Sequence, residues 1–565
     1  MTSLDPIYTE RTECQDCYKC IRECPVKAIK VEEGYASIIA ELCIYCGRCV
    51  EMCPHGAKKV RSDRGRVAAL LAASAKIVVS LAPSWASDFP ELPAEKLVAA
   101  LRLLGFFGVS ETALGAEQVS AHVAGLIHER PQMTWLSSAC PVVVEYVERY
   151  QPDAVGLLTP LLSPLLAHAR LLKRELGEDT RVVFIGPCIA KKREADLHPG
   201  LVDAALTFAD LRAWLKEAGI ALAEVEPAAE DRFIPRGARE GGRYPIGGGM
   251  VAGIQASCPD TDFMAFSGFA GVERALAGLD EAAGPAGAFL ELLACDGGCV
   301  NGPKSRRGGT AAKSRHIIRR SSAAPAIPEP LVEIGNAYQP HPVPVFECTE
   351  AQVREALRSV GKLTTDDELN CGGCGYDSCR DFARGLAIRR AERQMCVSYM
   401  RKLAQKKTHV LMQKMPSAVV IADEQLRVVE CNPRFAEFFA PAGQGAESMA
   451  GAALATLVPF YSLFRRVLAT GEEILDREIR FRGRVFNASV FGIEKESLVG
   501  GIFRDATQPA VEKEQIIRRA REVIQKNLLT VQQIAYLIGE NAAESEMALN
   551  AIVRSFTPGG AESGD

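Results

Sequence analysis

The middle of the chain alternates two kinds of apolar pattern. Short continuous apolar runs at 77–81 and 181–185 are typical of buried strands bounded by turns. Longer stretches with the apolar spacing of helices lie between and after them, at 95–104, 161–176 and 209–218. This alternation predicts an α/β domain over about residues 63–335.

The last third of the chain carries a different pattern. An apolar strand runs to a turn at Asp423, a second strand follows, and Asn432 and Pro433 then begin a helix as N-cap and first helical residue. This order of elements resembles a PAS sensor domain, an α+β fold, at about 405–508. The resemblance leaves the PAS ligand unknown.

Beyond residue 508 apolar side chains recur at helical spacing, which predicts an amphipathic helix within 509–565. Such a stripe either docks on its own chain or acts as a dimer seam or signal-output helix, because PAS domains commonly pair through flanking helices. The apolar positions are Ile516, Ile517, Ala520, Val523, Ile524, Leu528, Val531, Ile534, Ala535 and Ile538.

Composition and charge narrow the classes of function. The 565 residues correspond to about four domains, and 66 Lys and Arg against 70 Asp and Glu leave a net charge of −4. That balance provides no electrostatic reason for a nucleic-acid or anionic-membrane partner. The most apolar run, 67–83, contains Lys76 and is too short to span a bilayer, and no signal-peptide pattern begins the chain. We therefore expect a cytoplasmic protein.

The 19 cysteines are the outlying feature of the composition. In a reducing compartment so many thiols favour metal ligation over structural disulfides. Eight of them form two copies of the run Cys-x2-Cys-x2-Cys-x3-Cys-Pro, in which three thiolates hold one cubane and the fourth ligates the other. Zinc knuckles fit this spacing poorly. The two predicted [4Fe–4S] ligand sets are Cys14, Cys17, Cys20 and Cys53, and Cys24, Cys43, Cys46 and Cys49.

A further group contains Cys371, Cys374, Cys379 and Cys396. Glycines beside the first two thiols let backbone N–H groups approach cluster sulfurs. We expect a third [4Fe–4S] cluster here, with zinc bound by four thiolates as the alternative, because spacing alone does not separate the two metals. Three cysteines remain as expected buried packing residues, namely Cys258, Cys348 and Cys431.

Four other thiols come from three loops of the α/β segment. Cys140 and Cys188 each stand beside a proline where an apolar run ends, and Cys295 and Cys299 share one glycine-containing loop. Open α/β sheets build their sites at the carboxyl ends of strands. The four thiols are therefore expected to enclose one more cubane.

These three motifs, together with the N-terminal cysteine runs, resemble the [FeFe]-hydrogenases over residues 1 to about 400. The resemblance implies that Lys191 hydrogen-bonds a cyanide of a two-iron subsite, a contact that suits a lysine because the ligand is a buried anion. Glu291, within the third motif, is a further candidate catalytic residue. The resemblance also implies that four thiols ligate the cubane of the hydrogen cluster, namely Cys140, Cys188, Cys295 and Cys299. Cys299 would in addition bridge to the two-iron subsite, which carries CO, cyanide and a dithiolate amine.

The chain also departs from active members of that family. Where they carry a cysteine that shuttles protons to the bridging amine, this chain has Ala139. Their relay glutamates are replaced by Val123 and Leu126, and an aliphatic side chain cannot pass a proton. Because a positioned acid or base contributes about 10²–10⁴-fold, we expect low turnover unless His122, His128 or water provides another route.

Two more differences surround the motifs. Methionines that flank the cluster in active members are replaced by Gly186 and Leu293, and the glycine-rich continuation of the third motif is lost at 300–304. From 300 to 328 the chain has seven Lys or Arg residues and no acid. We expect a solvated linker there, with a docking patch for an acidic redox partner as the alternative.

We predict a multidomain α/β and α+β protein. Its segments are a two-cluster ferredoxin module at 1–62, an α/β [FeFe]-hydrogenase core at 63–335, a small [4Fe–4S] domain at 336–404, the PAS domain at 405–508 and the C-terminal helical segment at 509–565. This arrangement resembles the sensory [FeFe]-hydrogenases of anaerobic bacteria, which implies a hydrogen cluster and three accessory [4Fe–4S] clusters.

The resemblance implies low-turnover oxidation or binding of H₂, with electrons passed through the accessory clusters to the PAS domain. The alternatives are a slow ferredoxin-linked hydrogenase and an iron–sulfur regulatory protein that never receives the two-iron subsite. Expected partners are H₂ and protons, a redox partner or downstream signalling protein, and a second copy of the chain paired through the PAS domain and the C-terminal helix.

Overall fold

The computed structural model describes residues 5–73, 76–90, 92–279, 287–306, 310–322, 329–344, 347–441, 443, 445–494, 497–506 and 519–527. The chain divides into two compact units. The first comprises Met1–Thr349 with Ile388–Arg390, and the second comprises Glu350–Ala387 with Ala391–Asp565.

The N-terminal part of the first unit is built from two similar halves. In each half a cysteine run leads into a five-residue helix, α1 (Lys19–Glu23) or α2 (Arg48–Met52), and the preceding residue, Tyr18 or Gly47, has a left-handed backbone. The fourth cysteine of each run caps the helix in an extended conformation, so the chain turns away there. Two antiparallel pairs flank these helices: β1 (Ile7–Thr9) with β4 (Lys58–Val60), and β2 (Ile29–Glu32) with β3 (Tyr35–Ile38).

Two parallel sheets form the centre of the first unit. The strands are β5 (Ile77–Leu81), β6 (Gly108–Glu111), β7 (Trp135–Leu136), β8 (Arg181–Gly186), β9 (Ala204–Thr207), β10 (Asp262–Ser267) and β11 (Ala288–Leu293). Their spatial orders are β6-β5-β8-β9 and β10-β11-β7. All residues of β5, β9 and β11 are buried, as expected for parallel strands covered on both faces. The α/β prediction is confirmed.

Helices cover these sheets, and their starts follow from local capping. Ser163 Oγ accepts a hydrogen bond from Leu166 N at one start, and Thr207 and Asp210 form a capping box at another. The helices are α3 (Arg64–Ala73), α4 (Trp85–Asp88), α5 (Ala94–Leu103), α6 (Ala113–Glu129), α7 (Pro141–Tyr150), α8 (Pro164–Leu176), α9 (Ala190–Leu197), α10 (Phe208–Glu217), α11 (Gly249–Ile254) and α12 (Phe269–Ala277). Short 3-10 helices lie at Arg11–Glu13, Pro152–Leu157, Glu240–Arg243, Gln255–Ser257 and Cys299–Asn301.

The basic segment after the third cysteine motif differs from the predicted solvated linker. Its residues Ala311–Ser321 form helix α13, which Thr310 caps by accepting a 3.2 Å hydrogen bond from Lys313 N. Ile318 is fully buried against Ile246 and Val300. One apolar side chain thus docks the helix, while its basic side chains stay exposed and carry the charge that suggested a linker.

The second unit begins with α14 (Glu350–Ser359), α15 (Cys379–Ala387) and α16 (Val397–Lys414). Helix α15 ends at Ala387, and a 3-10 turn, Arg393–Met395, precedes α16. A further 3-10 turn lies at Thr365–Asp367. Helix α16 is continuous across the predicted boundary at 404–405.

The PAS part of the second unit is an antiparallel sheet with three short helices on one face, while Met412 of α16 packs against the other face. Its strands are β12 (Ala418–Asp423), β13 (Val428–Cys431), β14 (Ile474–Phe481), β15 (Arg484–Glu494) and β16 (Leu498–Asp505), in the order β13-β12-β16-β15-β14. The helices are α17 (Pro433–Phe439), α18 (Leu454–Leu457) and α19 (Ser462–Thr470), with a 3-10 turn at Ala446–Met449.

Aromatic rings fill the interior of this part. The Phe439 ring centroid lies 5.2 Å from that of Phe503 and 5.3 Å from that of Phe486, and all three side chains are buried. Asn432 caps α17 as predicted, accepting a 2.9 Å hydrogen bond from Phe435 N. The predicted α+β fold is confirmed.

The predicted C-terminal helix is only partly within the described residues. Residues 519–527 are helical and include Ala520, Val523 and Ile524 of the apolar stripe. Among the described residues, no helix is long and apolar enough to cross a bilayer. The other stripe positions lie outside the described residues: Ile516, Ile517, Leu528, Val531, Ile534, Ala535 and Ile538.

Candidate functional site

Four cysteines from three loops of the first unit line one cavity of about 110 Å³, the core cavity. Cys140 is the N-cap of α7 after β7, and Cys188 lies between β8 and α9. Cys295 follows β11, and Cys299 begins a 3-10 turn. The structure thus brings the thiols of all three motifs together at the carboxyl ends of strands from both sheets.

The rest of the core-cavity wall is largely apolar, and the position of Phe184 explains why residue 186 is a glycine. A Cβ atom at Gly186 would lie 2.4 Å from the Phe184 ring and 2.7 Å from Cβ of Ala82. Phe184 therefore occupies the space that a side chain at 186 would need. Leu293 and Ala139 also line the core cavity.

Burial opposes ionisation of these thiols. It raises the pKa of Cys188 to about 11, and the neighbouring Cys140 adds to the rise. Burial also raises the pKa of Cys295 and Cys299, and each is raised further by the other thiols of the cavity. Thiolates packed this closely need a positively charged metal group between them.

The donor chemistry of the core cavity suits an iron–sulfur cluster. Its wall brings together four thiol groups, those of Cys140, Cys188, Cys295 and Cys299. A cubane distributes four thiolates over separate irons. The residues present in the core cavity therefore fit a [4Fe–4S] group.

Lys191 lies at the wall of the core cavity with 8% of its surface exposed. Its Nζ donates to Glu194 Oε2 at 2.7 Å and to Ser163 Oγ at 3.1 Å. An ammonium has three N–H donors. Two fixed acceptors orient the group and leave one N–H for an anionic ligand in the cavity.

Glu291 lies outside the residues that line the core cavity. Its carboxylate accepts hydrogen bonds from Gly248 N and Met250 N at 3.1 Å and from Val251 N at 3.0 Å. Burial raises its pKa to about 7, against the lowering effect of those N–H groups. The structure thus places Glu291 where it anchors the start of α11 to β11.

The predicted gaps in the proton route are apolar in the structure. Val123 is fully buried in the core, and Leu126 packs against the same core. His122 Nδ1 bonds to the Gln118 carbonyl at 2.9 Å, and His128 Nε2 bonds to the Ser257 carbonyl at 3.0 Å. Neither histidine lines the core cavity.

Another polar path leaves the core cavity at Tyr244. Its hydroxyl lies 2.9 Å from Ser120 Oγ, and Ser120 lies close enough to Glu240 to lower the pKa of that carboxyl. Burial has the larger, opposite effect and raises the pKa of Glu240 to about 7, with the charge of Glu117 adding to it. Glu117 is paired at 2.7 Å with Arg236, whose side chain is 41% exposed. These groups form one polar region between the cavity and the half-exposed Arg236, in which the two buried carboxylate oxygens of Glu240 have no hydrogen-bond partner among the described residues.

Sequence reasoning missed this path because its members come from two distant segments, 117–120 and 236–244. The packing of α6 against the 3-10 turn at Glu240–Arg243 brings them together. A glutamate four residues before a tyrosine is too common a pattern to signal it.

The N-terminal thiols separate into two groups of close electrostatic neighbours. Burial raises the pKa of Cys20 to about 12, and Cys17, Cys14 and Cys53 raise it further. Burial also raises the pKa of Cys46 to about 12, and Cys24 adds to it. These neighbours coincide with the two predicted ligand sets. Cys46 also lines the core cavity, so its set lies beside the core thiols.

The structure brings the cysteines of the second unit together around α15. Burial raises the pKa of Cys374 to about 11, and Cys396 and Cys371 raise it further. Cys379 N donates to Asn370 Oδ1 at 2.8 Å, which fixes the loop that carries Cys371. Cys371 is exposed, so this site lies at the surface of its unit.

Three cysteines lie outside all of these groups. Cys258 and Cys431 are buried, as expected of packing residues. Cys348 is only partly buried and differs from that expectation.

Comparisons with known proteins agree with this geometry. Residues 75–303 match the family described as iron only hydrogenase large subunit, C-terminal domain. Residues 36–59 match a 4Fe-4S binding domain, residues 367–398 a putative Fe-S cluster family and residues 406–504 the PAS fold.

Relatives of known identity match only part of the chain. Iron hydrogenase 1 of Clostridium pasteurianum is 27% identical over 290 residues, which cover 41% of this chain and 50% of that protein. The periplasmic [Fe] hydrogenase large subunit of Nitratidesulfovibrio vulgaris is 27% identical over 292 residues, 42% of this chain and 68% of that protein. The structure of [FeFe]-hydrogenase HydA1 from Chlamydomonas reinhardtii is 18% identical with a TM-score of 0.39, over 50% of this chain and 99% of that one. The chain thus spans about half of the length of the first of these relatives.

The fold and the grouped thiols define a multidomain iron–sulfur protein with a hydrogenase-type core. Within the chain, residues 75–303 are similar to the iron only hydrogenase large subunit, C-terminal domain, and residues 406–504 to the PAS fold. The resemblance stated from the motifs is confirmed, and iron–sulfur clusters are its cofactors.

Proposed function

We propose that this chain is a sensory [FeFe]-hydrogenase that oxidises or binds H₂ slowly in the core cavity. A hydrogen cluster would be held there by the four core thiols, and when bound it supplies the cleavage of H₂ into protons and electrons. Lys191 would donate its third N–H to an anionic ligand of that cluster. The thiol ligands are Cys140, Cys188, Cys295 and Cys299.

The proposal rests on one observation: the core cavity has all four thiol ligands, but its wall is apolar where a proton carrier would be needed. All four thiols line the core cavity, but Ala139 occupies the wall where active relatives carry the proton-shuttling thiol. Val123 and Leu126 belong to the same apolar cluster as Ala139. Slow proton delivery suits a protein that reports H₂ and limits one that must turn it over in bulk.

The PAS domain supports the signalling half of the proposal. Electrons would pass to the accessory [4Fe–4S] clusters, and their redox state would alter the PAS domain and a separate partner protein. The packed phenylalanine interior of the PAS domain favours recognition of a protein over binding of a large cofactor. Pairing of two chains through the PAS domain and the C-terminal helix would present two such surfaces together.

Infrared spectroscopy tests whether the core accepts a two-iron subsite. Protein matured anaerobically with the two-iron precursor is expected to show CO and cyanide bands, because the ligand set and the Lys191 donor are complete. Cys299→Ser is expected to abolish the bands. Cys258→Ser is the control, since that buried thiol lies outside the core cavity, and the bands should persist. Matured wild-type protein without bands would contradict both hydrogenase interpretations and favour an iron–sulfur regulatory protein.

Restoring the missing thiol tests the cause of low turnover. Ala139→Cys is expected to raise H₂ oxidation, but by less than the 10²–10⁴-fold of a complete acid–base relay, because Val123 and Leu126 still offer no proton acceptor. Ala139→Ser is the control of similar size with a weaker acid. H₂ oxidation that stays at the wild-type rate in Ala139→Cys would show that the absent thiol does not limit turnover.

A further inference from the structure

Helix α7 connects the core cavity directly to the loop of a neighbouring cysteine set. Its N-cap is Cys140, and Pro141 occupies its first position. The helix has 10 residues, so it is about 15 Å long. Its last turn presents Arg149 and Tyr150 to the loop at 40–43, which ends at Cys43.

The last turn of α7 supplies donors to four consecutive carbonyl groups of that loop. Arg149 Nη1 donates to Glu41 O at 2.9 Å and lies 3.3 Å from the carbonyl oxygens of Ala40 and Cys43. Tyr150 Oη donates to Leu42 O at 2.7 Å. Buried or half-buried carbonyl groups need such partners. The loop is therefore held to α7 by side chains and has no strand pairing of its own at these residues.

Arg149 also brings a positive charge to the predicted cluster of Cys24, Cys43, Cys46 and Cys49. Its guanidinium is paired through Nε with Glu145 Oε2 at 2.7 Å, and the two side chains are only 15% and 16% exposed. Partial burial limits screening by salt. Reduction adds one negative charge to a cluster, so a nearby cation favours the reduced form, and hydrogen bonding around the ligands tunes the potential.

We propose that Arg149 is a positioning residue for electron transfer between the core cavity and this accessory cluster. Its guanidinium fixes the loop at 40–43 on α7 and raises the reduction potential of the cluster of Cys24, Cys43, Cys46 and Cys49. Glu145 moderates that effect by neutralising part of the charge. The inference rests on the iron–sulfur part of the proposed function and is independent of the two-iron subsite.

The potential of the cluster tests this inference. The full chain is reconstituted with [4Fe–4S] clusters but without the two-iron precursor. It is then titrated with reductant, and the reduced clusters are followed by EPR. The signal of this cluster is the one that disappears in Cys49→Ser. In Arg149→Gln the ratio of reduced to oxidised cluster at a fixed potential should fall about tenfold. For a one-electron couple this corresponds to a reduction potential lower by about 59 mV. Glu145→Gln should shift it in the opposite direction.

Two further variants separate charge from geometry. Arg149→Lys keeps the charge without the planar fork, so its potential should stay near the wild-type value while the Leu42 and Cys43 amides exchange hydrogen faster. Arg170→Gln is the control, since Arg170 donates to Glu333 O and to none of the loop carbonyls.

The inference would be overturned if Arg149→Gln left the potential unchanged or shifted it equally in every cluster. It would also be overturned if Glu145→Gln shifted the potential in the same direction as Arg149→Gln. If Arg149→Gln does not fold, the Arg149→Lys and Glu145→Gln results decide alone.

These outcomes are distinct from failure of the proposed function. Missing CO and cyanide bands with a shifted potential would refute the hydrogenase interpretation and leave the role of Arg149 intact. Normal CO and cyanide bands with an unshifted potential would support the hydrogenase interpretation and refute the role of Arg149.

Discussion

Replacement of Glu240 by glutamine is expected to lower H₂ oxidation by about 10²-fold or more, the usual contribution of a positioned acid or base. Glu240 adds to the rise in the pKa of Tyr244, and Ser120 lowers the pKa of Glu240, so Glu240 lies beside both groups in the polar region next to the core cavity. Its carboxylate packs closely, since a Cβ atom at Gly253 would lie 2.1 Å from Oε2. Glutamine keeps this shape and removes the proton-carrying group.

The same residue predicts the pH dependence. Burial raises the pKa of Glu240 to about 7, so the group is half protonated at neutral pH. H₂ oxidation releases protons and needs the carboxylate, so its rate should rise as the pH passes upward through about 7. H₂ evolution consumes protons and needs the acid, so its rate should fall over the same range. Glu240→Gln should lose both inflections.

Glu111→Gln provides the control for this variant. Glu111 is also largely shielded, burial raises its pKa, and it accepts a hydrogen bond from Ala238 N, but neither Ser120 nor Tyr244 is among the groups that shift its pKa. Its turnover and pH profile should match those of the wild type. Infrared bands that remain in Glu240→Gln would show an intact cluster. Wild-type rates and inflections in Glu240→Gln would exclude this path for protons.

Lys192→Met is expected to destabilise the first unit by about 3–5 kcal/mol, the usual cost of removing one partner from a buried ion pair. Lys192 is fully buried, and its Nζ donates to Asp63 at 3.3 Å, to Asp210 at 3.2 Å and to the Ala205 carbonyl at 2.8 Å. Its loss breaks the ion pair with Asp210, although Arg61 still pairs with Asp63 at 2.8 Å.

Tryptophan fluorescence during urea unfolding measures this effect. The three tryptophans, Trp85, Trp135 and Trp214, all lie in the first unit, so they report on its core alone. Lys96→Met is the control, because Lys96 donates to a single carbonyl, Ala223 O, at an exposed position. Its effect should stay within about 0.5 kcal/mol. An equal midpoint for Lys192→Met and the wild type would refute the structural role of the buried network.

The two adjacent lysines, Lys191 and Lys192, have different roles that the sequence alone could not assign. Lys191 and Lys192 both follow the second cysteine motif, at the start of α9. Of the two, only Lys191 lines the core cavity, while Lys192 binds Asp63, which follows β4. Successive helix residues point about 100° apart. The side chain that faces the site therefore depends on how the helix lies on the sheet.

The elements themselves were well predicted where their patterns were local. The strand at 77–81 is β5 without any change of bounds, and Asn432 and Pro433 begin α17 as expected. The basic helix α13 was missed, because a single buried residue, Ile318, supplies its packing and leaves no periodic apolar stripe to detect.

The amino-acid sequence by itself determined which thiols belong together. Ligand spacing within a cysteine run is local, so the chain geometry between ligands follows from the few residues that separate them. The tertiary structure alone decided the surroundings of the core cavity. Tyr244, Ser120 and Glu240 meet because two distant segments pack together, and Arg149 reaches the loop at 40–43 only because α7 points towards it. Such contacts depend on the relative placement of whole elements, which no short spacing encodes.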